Sequence, residues 1–318
     1  MKLYEKILRI TEILDTSSCT RQKLADNMSI SLSSVNSVIN EMKSARVVGE
    51  YDSSNKSAGR NTGVIHLRND PVFAIADISE AFISTCIFGY GLDIKTSFRF
   101  EISDKLFLDD SLISYFKVIS DIRPKIKYIC VSSRGVPSGS GFANSGIHNL
   151  DGIPISQIAQ EFLPDTKITL LNKTNYLCND TRGVYAVMTD SSGKLRIEIF
   201  KDGVCLSNKS VSFSECNKYS AIPQTGRLKY ATDFEEYTEI ITTIIGSITS
   251  LIEIDRVYFH TARYSDANVT VNKIKEIFES RSYTTNTNIT PLTEENFLFP
   301  TPLLKAVRDF ALEEIFSK

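Results

Sequence analysis

The chain has 318 residues, 42% of them apolar and 23% charged, with a formal net charge of −2. That length exceeds one ordinary compact domain, and the balance is that of a globular protein rather than a disordered tail. The six cysteines form no Cys-x-x-Cys pair and the three histidines no His-Glu-x-x-His pattern, so a metal site has no support and no cofactor is expected. The most apolar stretch, residues 240–252, is broken by Thr, Ser and Gly and is too short for a bilayer span, so no membrane partner is expected. Met1 leads directly into Lys2-Leu3-Tyr4-Glu5-Lys6, a charged start unlike an export signal, and a cytoplasmic location is expected.

Charge is unevenly spread: residues 1–70 hold ten Lys/Arg against eight Asp/Glu, the remainder 26 against 30. A slightly basic N-terminal segment suits a nucleic-acid partner. Leu3, Ile7, Ile10 and Leu14 recur at helical spacing and predict a first helix with one buried face. Residues 16–20 break that pattern and offer an N-cap for a short second helix from Arg21 to Met28, presenting Leu24, Ala25 and Met28. After Ser29-Ile30, Ser31 can cap a third helix to about Ala45, in which Val35, Val38, Ile39 and Met42 line one inward face.

The opposite face of that third helix carries Ser33, Asn36, Ser37, Asn40 and Lys43, with no acidic residue before Glu41. Short side chains that both donate and accept suit base edges and phosphates in a major groove, and they equally suit the solvated side of a three-helix bundle. A strand over 47–51, a polar loop over 52–61 and a strand over 63–67 follow. Such a hairpin is either a wing beside a helix-turn-helix or a plain closure of the small core. Lys56 and Arg60 lie in its loop, where flexible cations can reach phosphates or a narrow minor groove. Arg21, at the start of the second helix, and Ser34 complete the set of candidate DNA contacts.

The second helix, Thr20-Arg21-Gln22-Lys23-Leu24-Ala25, and the third, Ser31 to Met42, resemble the N-terminal module of the ROK family of repressors, open reading frames and sugar kinases. The Gly59-Arg60 pair adds to the match, although Asn61 stands where ROK repressors usually carry proline. The segment Asp70 to Ile78 resembles the entry to the family's second domain, and Asn149-Leu150-Asp151-Gly152-Ile153-Pro154-Ile155 with Asn172-Lys173-Thr174-Asn175 resembles its sugar-side segment. The resemblance covers nearly the whole chain. It implies an α/β protein in which an N-terminal winged helix-turn-helix, residues 1–70, precedes a two-lobed actin-like ATPase, or sugar-kinase-like, domain with lobes at 71–190 and 191–318. The alternation of strands and helices beyond residue 71 independently reads as α/β.

Against the family's kinases, four features are missing. Asp77 is followed by Ile78-Ser79-Glu80 where a glycine-rich turn would admit phosphates, and Glu80 brings negative charge there. Lys173 stands where the family's kinases carry the aspartate base, and a protonated lysine accepts no proton. The second-lobe zinc motif has no counterpart in residues 197–219, leaving Cys205 and Cys216 isolated, and His260-Thr261 replaces a glycine pair. The expectation is a DNA-binding transcription regulator, a repressor, with a catalytically inactive sensor or dimerisation domain. Its expected partners are double-stranded DNA, a second copy of the chain, and a small-molecule effector of which a sugar is one candidate. Asn149, Asp151, Asn172 and Asn175 are the candidate effector ligands, and the same residue types also serve as turn formers. The rival expectations are a carbohydrate kinase with an accessory N-terminal module and a module that binds a partner protein.

Overall fold

The computed structural model describes all residues except 1, 53–62, 71, 103–107, 123–125, 144, 178–181, 192–193, 203, 208–209, 213–232, 262–263, 265, 282–286, 294–296 and 318. The described residues form two compact units, Met1–Leu171 with Leu303–Lys318, and Asn172–Pro302.

The first unit starts with α1 (Leu3–Thr16), whose Ile7, Ile10 and Leu14 are buried as their spacing requires. Thr20 then accepts a hydrogen bond from the Lys23 amide and so caps α2 (Arg21–Met28). Ser29 turns the chain through a left-handed φ of 53°. Ser31 accepts from the Ser34 amide and caps α3 (Leu32–Ser44), on which Val35, Val38, Ile39 and Met42 are all buried. Burial of each such side chain is worth roughly 1.5–3 kcal/mol, enough to fix which face of α3 points outward. Three short strands, β1 (Cys19–Thr20), β2 (Val48–Asp52) and β3 (Gly63–Leu67), pair antiparallel in the order β1-β3-β2. The two-residue strand β1 is not among the expected elements, because residues 16–20 read only as a break and a cap.

The same unit continues with β4 (Phe73–Ile78), β5 (Phe82–Phe88), β6 (Ile94–Glu101), α4 (Leu108–Asp121), β7 (Tyr128–Ser133), a small hairpin of β8 (Val136–Ser138) and β9 (Gly141–Ala143), α5 (Ile155–Phe162) and β10 (Lys167–Asn172). The main sheet has the order β10-β7-β4-β5-β6, and Leu112, Tyr115 and Phe116 of α4 with Ala159 of α5 share its buried core. Strand β4 is buried at every position, as a central strand covered on both faces must be.

In the second unit a single 3₁₀ turn, Lys173–Tyr176, leads to β11 (Val184–Ser191), β12 (Lys194–Lys201), β13 (Val204–Ser207), β14 (Ser210–Ser212), α6 (Phe234–Leu251), β15 (Arg256–Thr261), α7 (Ala267–Ser280) and β16 (Asn288–Pro291). Its sheet runs β13-β12-β11-β15-β16, with β14 pairing β12 off that path. The two main sheets share one design. A central strand, β4 or β11, pairs antiparallel with its successor on one side and parallel with a later strand, β7 or β15, on the other. Ile241, Ile244 and Ile245 of α6 and Val271 and Ile274 of α7 supply the core of this unit.

The last helix, α8 (Thr301–Phe316), buries Leu303, Leu304, Val307, Ala311 and Leu312. Arg308 lies on that buried side and is 1% exposed. Its guanidinium donates to both carboxylate oxygens of Asp15 at 2.5 and 3.0 Å and to the Tyr90 carbonyl at 3.3 Å, and its Nε donates to Asp309 at 3.2 Å. The end of α1, the end of the β5 segment and α8 are thereby joined at one cation. Among the described residues no helix is long and apolar enough to cross a membrane.

Candidate nucleic-acid interface

With Val35, Val38, Ile39 and Met42 turned inward, Ser33, Ser37 and Asn40 are exposed on α3 and Ser34, Asn36 and Lys43 are half-buried. The three exposed residues form a polar strip, and the half-buried ones are held by neighbours. Ser34 Oγ accepts from Lys6 Nζ of α1 at 2.9 Å, and Asn36 Oδ1 accepts from Arg21 at 3.4 Å. Arg21 also reaches Glu50 of β2 at 2.8 Å, and Lys43 bonds the same Glu50 oxygen. The Lys43 ammonium holds the Glu50 carboxyl below its ordinary pKa, Arg21 acts in the same direction, and partial burial opposes both.

The structure thus brings Arg21, Asn36 and Lys43 together around a residue absent from the expected set, Glu50. Lys6 is a second residue that sequence reasoning left out; it is half-buried on α1 with its ammonium on Ser34, and a lone lysine carries no distinguishing sequence pattern. Lys56 and Arg60, expected in the connecting loop, lie outside the described residues, as does Cys216.

The candidate effector ligands fall in both units. Asn149 is exposed in a left-handed conformation, φ 60°, and the exposed Asp151 accepts the Ser145 amide at 3.0 Å. In the second unit Asn172 Oδ1 accepts the Thr174 amide at 2.9 Å and caps the 3₁₀ turn, while Asn175 is exposed. These local bonds are what Asn and Asp form in turns, and they leave Asp151 and Asn172 with further acceptor capacity.

The residues that the resemblance sets against the kinases' catalytic groups, Asp77, Glu80, Lys173 and His260, make contacts of their own. Asp77 is 1% exposed and accepts a hydrogen bond from Ser132 on the adjacent parallel strand at 3.0 Å. Glu80 sits in a tight β4–β5 turn closed by Ser79, whose amide and hydroxyl both donate to the Phe82 carbonyl at 2.9 and 2.8 Å. Lys173 is 3% exposed, its ammonium 4.2 Å from the centre of the Phe297 ring. His260 stacks on the same ring at 4.1 Å and its Nδ1 lies 3.1 Å from the Leu292 carbonyl. Beside them Thr174 Oγ1 meets Glu198 at 3.5 Å, and Glu198 pairs with Arg196, also at 3.5 Å.

A mixed α/β chain with two sheets of one strand order and an N-terminal helical segment backed by a small antiparallel sheet defines the class. Its fold is that of ROK family regulators and ROK sugar kinases. A ROK family transcriptional regulator, a homologue of the E. coli MLC protein, superposes with a TM-score of 0.64 and 11% identity, over 97% of this chain and 97% of that one. The Listeria monocytogenes Lmo2764 protein, titled an N-acetylmannosamine kinase, gives 0.54 and 16% over 76% of this chain and 99% of its own. A ROK family glucokinase from Streptomyces griseus, solved with glucose and AMPPNP, gives 0.52 and 10% over 76% and 98%. No protein-family model matches the sequence, and no curated protein matches it either.

Proposed function

We propose that this chain is a ROK family DNA-binding transcriptional regulator, a repressor, with a winged helix-turn-helix over residues 1–70 and a kinase-like body that performs no phosphoryl transfer. The observation that carries this reading is the exposed strip of Ser33, Ser37 and Asn40 on α3, with Asn36, Arg21 and Lys43 beside it. Helix α3 would enter the major groove with its polar side toward base edges, and the loop cations Lys56 and Arg60 would hold the flanking backbone. Coverage supports the same reading. A match over 97% of the chain must include most of the first seventy residues, whereas kinase matches over 76% need not.

The body would act as a sensor or a dimerisation scaffold. A homodimer would present two α3 helices to a palindromic site; for a small polar effector, a sugar among the candidates, Asn149 and Asp151 in the first unit and Asn172 and Asn175 in the second are the candidate contacts, each pair taken by itself. Electrophoretic mobility shift on the chain's own promoter region tests the proposal. A sequence-specific shift that weakens with Asn36→Ala and with Arg60→Ala supports it; absence of any specific shift overturns it.

The second reading, a carbohydrate kinase with an accessory N-terminal module, draws on the fold shared with the Streptomyces glucokinase. Lys173 speaks against it: a lysine buried against Phe297 stands where the resemblance sets the kinases' carboxylate base.

A further inference from the structure

Glu50 is the acidic residue the candidate interface was not expected to contain. Its side chain is 23% exposed, and one of its oxygens, Oε2, takes both Arg21 Nη2 and Lys43 Nζ. Two cations converging on one anionic oxygen is the arrangement a DNA phosphate would otherwise impose on them. The clasp holds α3 at two points, through Lys43 and through Asn36, which Arg21 bonds with its other terminal nitrogen. The backbone makes room for it. A Cβ built on Gly63 would stand 2.1 Å from Glu50 Oε1, so the carboxylate occupies space that only a glycine on β3 leaves open.

We propose that Glu50 is an internal stand-in for a DNA phosphate: it neutralises Arg21 of α2 and Lys43 of α3, holding down sequence-independent binding until a duplex phosphate displaces the carboxylate. The inference rests on the reading of α3 as a DNA-binding helix and goes one step past it, assigning to one acidic residue the control of the sequence-independent, salt-dependent part of affinity. The physics is a competition. While paired, the two cations release no counterions from DNA, and they contribute nothing to the salt-dependent part of affinity. A duplex whose base edges match α3 supplies the additional free energy that makes the exchange favourable, whereas a random duplex does not. The acidic residue therefore lowers affinity for a duplex of any sequence, and only a duplex with matching base contacts has the free energy to offset that cost and stay bound.

The test is fluorescence anisotropy of full-length wild type and Glu50→Gln on a random-sequence 20-base-pair duplex across a salt series, with circular dichroism to verify that both are folded. For Glu50→Gln the expected result is binding about tenfold tighter at low salt, with log K against log salt steeper by up to ~2. Lys43→Gln in the Glu50→Gln background should remove roughly half of the added slope. Gly63→Ala, which displaces the carboxylate while keeping it, should move affinity in the same direction as Glu50→Gln. If Glu50 instead orients the two cations for phosphate contact, Glu50→Gln weakens binding, and that result overturns the proposal, as does an unchanged slope. If neither wild type nor variant binds any duplex, the reading of α3 fails and takes the proposal with it; wild-type binding with an unaltered variant overturns the Glu50 assignment alone.

Discussion

Arg308 provides the most demanding test of how the N-terminal helices are fixed to the first α/β sheet. Its guanidinium is 1% exposed and bidentate to Asp15, whose side chain is 11% exposed. Replacing it with methionine keeps the aliphatic volume and leaves the Asp15 carboxylate with Lys305 at 3.5 Å as its remaining cation. Breaking a buried pair by removing one partner costs roughly 3–5 kcal/mol, because the other charge stays desolvated. Lys305 and the partial exposure of Asp15 soften the loss, placing Arg308→Met near the lower end, about 3 kcal/mol. Asp15→Asn leaves the more deeply buried guanidinium with Asp309 and the Tyr90 carbonyl, so its cost should be at least as large. The double variant Asp15→Leu/Arg308→Met removes both charges and should recover most of the stability, giving a coupling of about 2 kcal/mol or more. Hydrogen exchange followed by mass spectrometry on peptides from α1 and α8 reads this locally, without requiring the two units to unfold as one. Each single variant should lose protection by roughly a hundredfold, since about 1.4 kcal/mol is a factor of ten. Losses of less than ~0.5 kcal/mol in both single variants, the scale of an exposed pair, would refute the idea that this contact anchors α1.

Two further outcomes separate the roles assigned along the chain. Ile39→Ala, at a position with no exposed surface, should cost about 2–4 kcal/mol in a chemical denaturation curve, whereas Ser37→Ala should stay within ~0.5 kcal/mol and weaken operator binding instead. Lys173→Asp should give no hexose-dependent ATP turnover in a coupled assay, since restoring the carboxylate leaves Glu80 and the glycine-free β4–β5 turn in place; measurable turnover would favour the kinase reading.

How much of this was legible beforehand depends on the range over which each feature is determined. The faces of α1, α2 and α3 and the caps at Thr20 and Ser31 are set by neighbours within one or two turns, and periodicity with capping chemistry places them directly. The strand β1 exists only because β3 lies beside it, and two residues are too few to show alternation. Glu50 illustrates the same limit at a functional position. It looks like one more charge in the middle of a short strand until Gly63, thirteen residues later and on the partner strand, is seen to leave space for its carboxylate. Arg308 did carry a readable signal: it falls four residues after Leu304 and four before Leu312, in the middle of the apolar stripe of α8. A cation at such a position needs a buried acceptor, and the pattern announces that need without identifying Asp15 as the residue that meets it.

The same distinction governs what the kinase-like body says about chemistry. Its two sheets repeat one strand order, and that order is dictated by apolar strands and helices that tolerate many polar substitutions at their ends. Catalysis, by contrast, depends on a few groups being free to touch substrate. Here several of the polar groups make contacts within the protein, Asp77 with Ser132 and Lys173 and His260 with Phe297, while Asn172, which accepts the Thr174 amide, keeps further acceptor capacity. A carboxylate whose oxygen is taken by a neighbouring hydroxyl at 3.0 Å, or an ammonium packed 4.2 Å from a ring centre, is part of the core. Fold likeness to a glucokinase therefore does not by itself carry that enzyme's reaction to this chain, and the exposed polar strip on α3 is one place where function is to be sought.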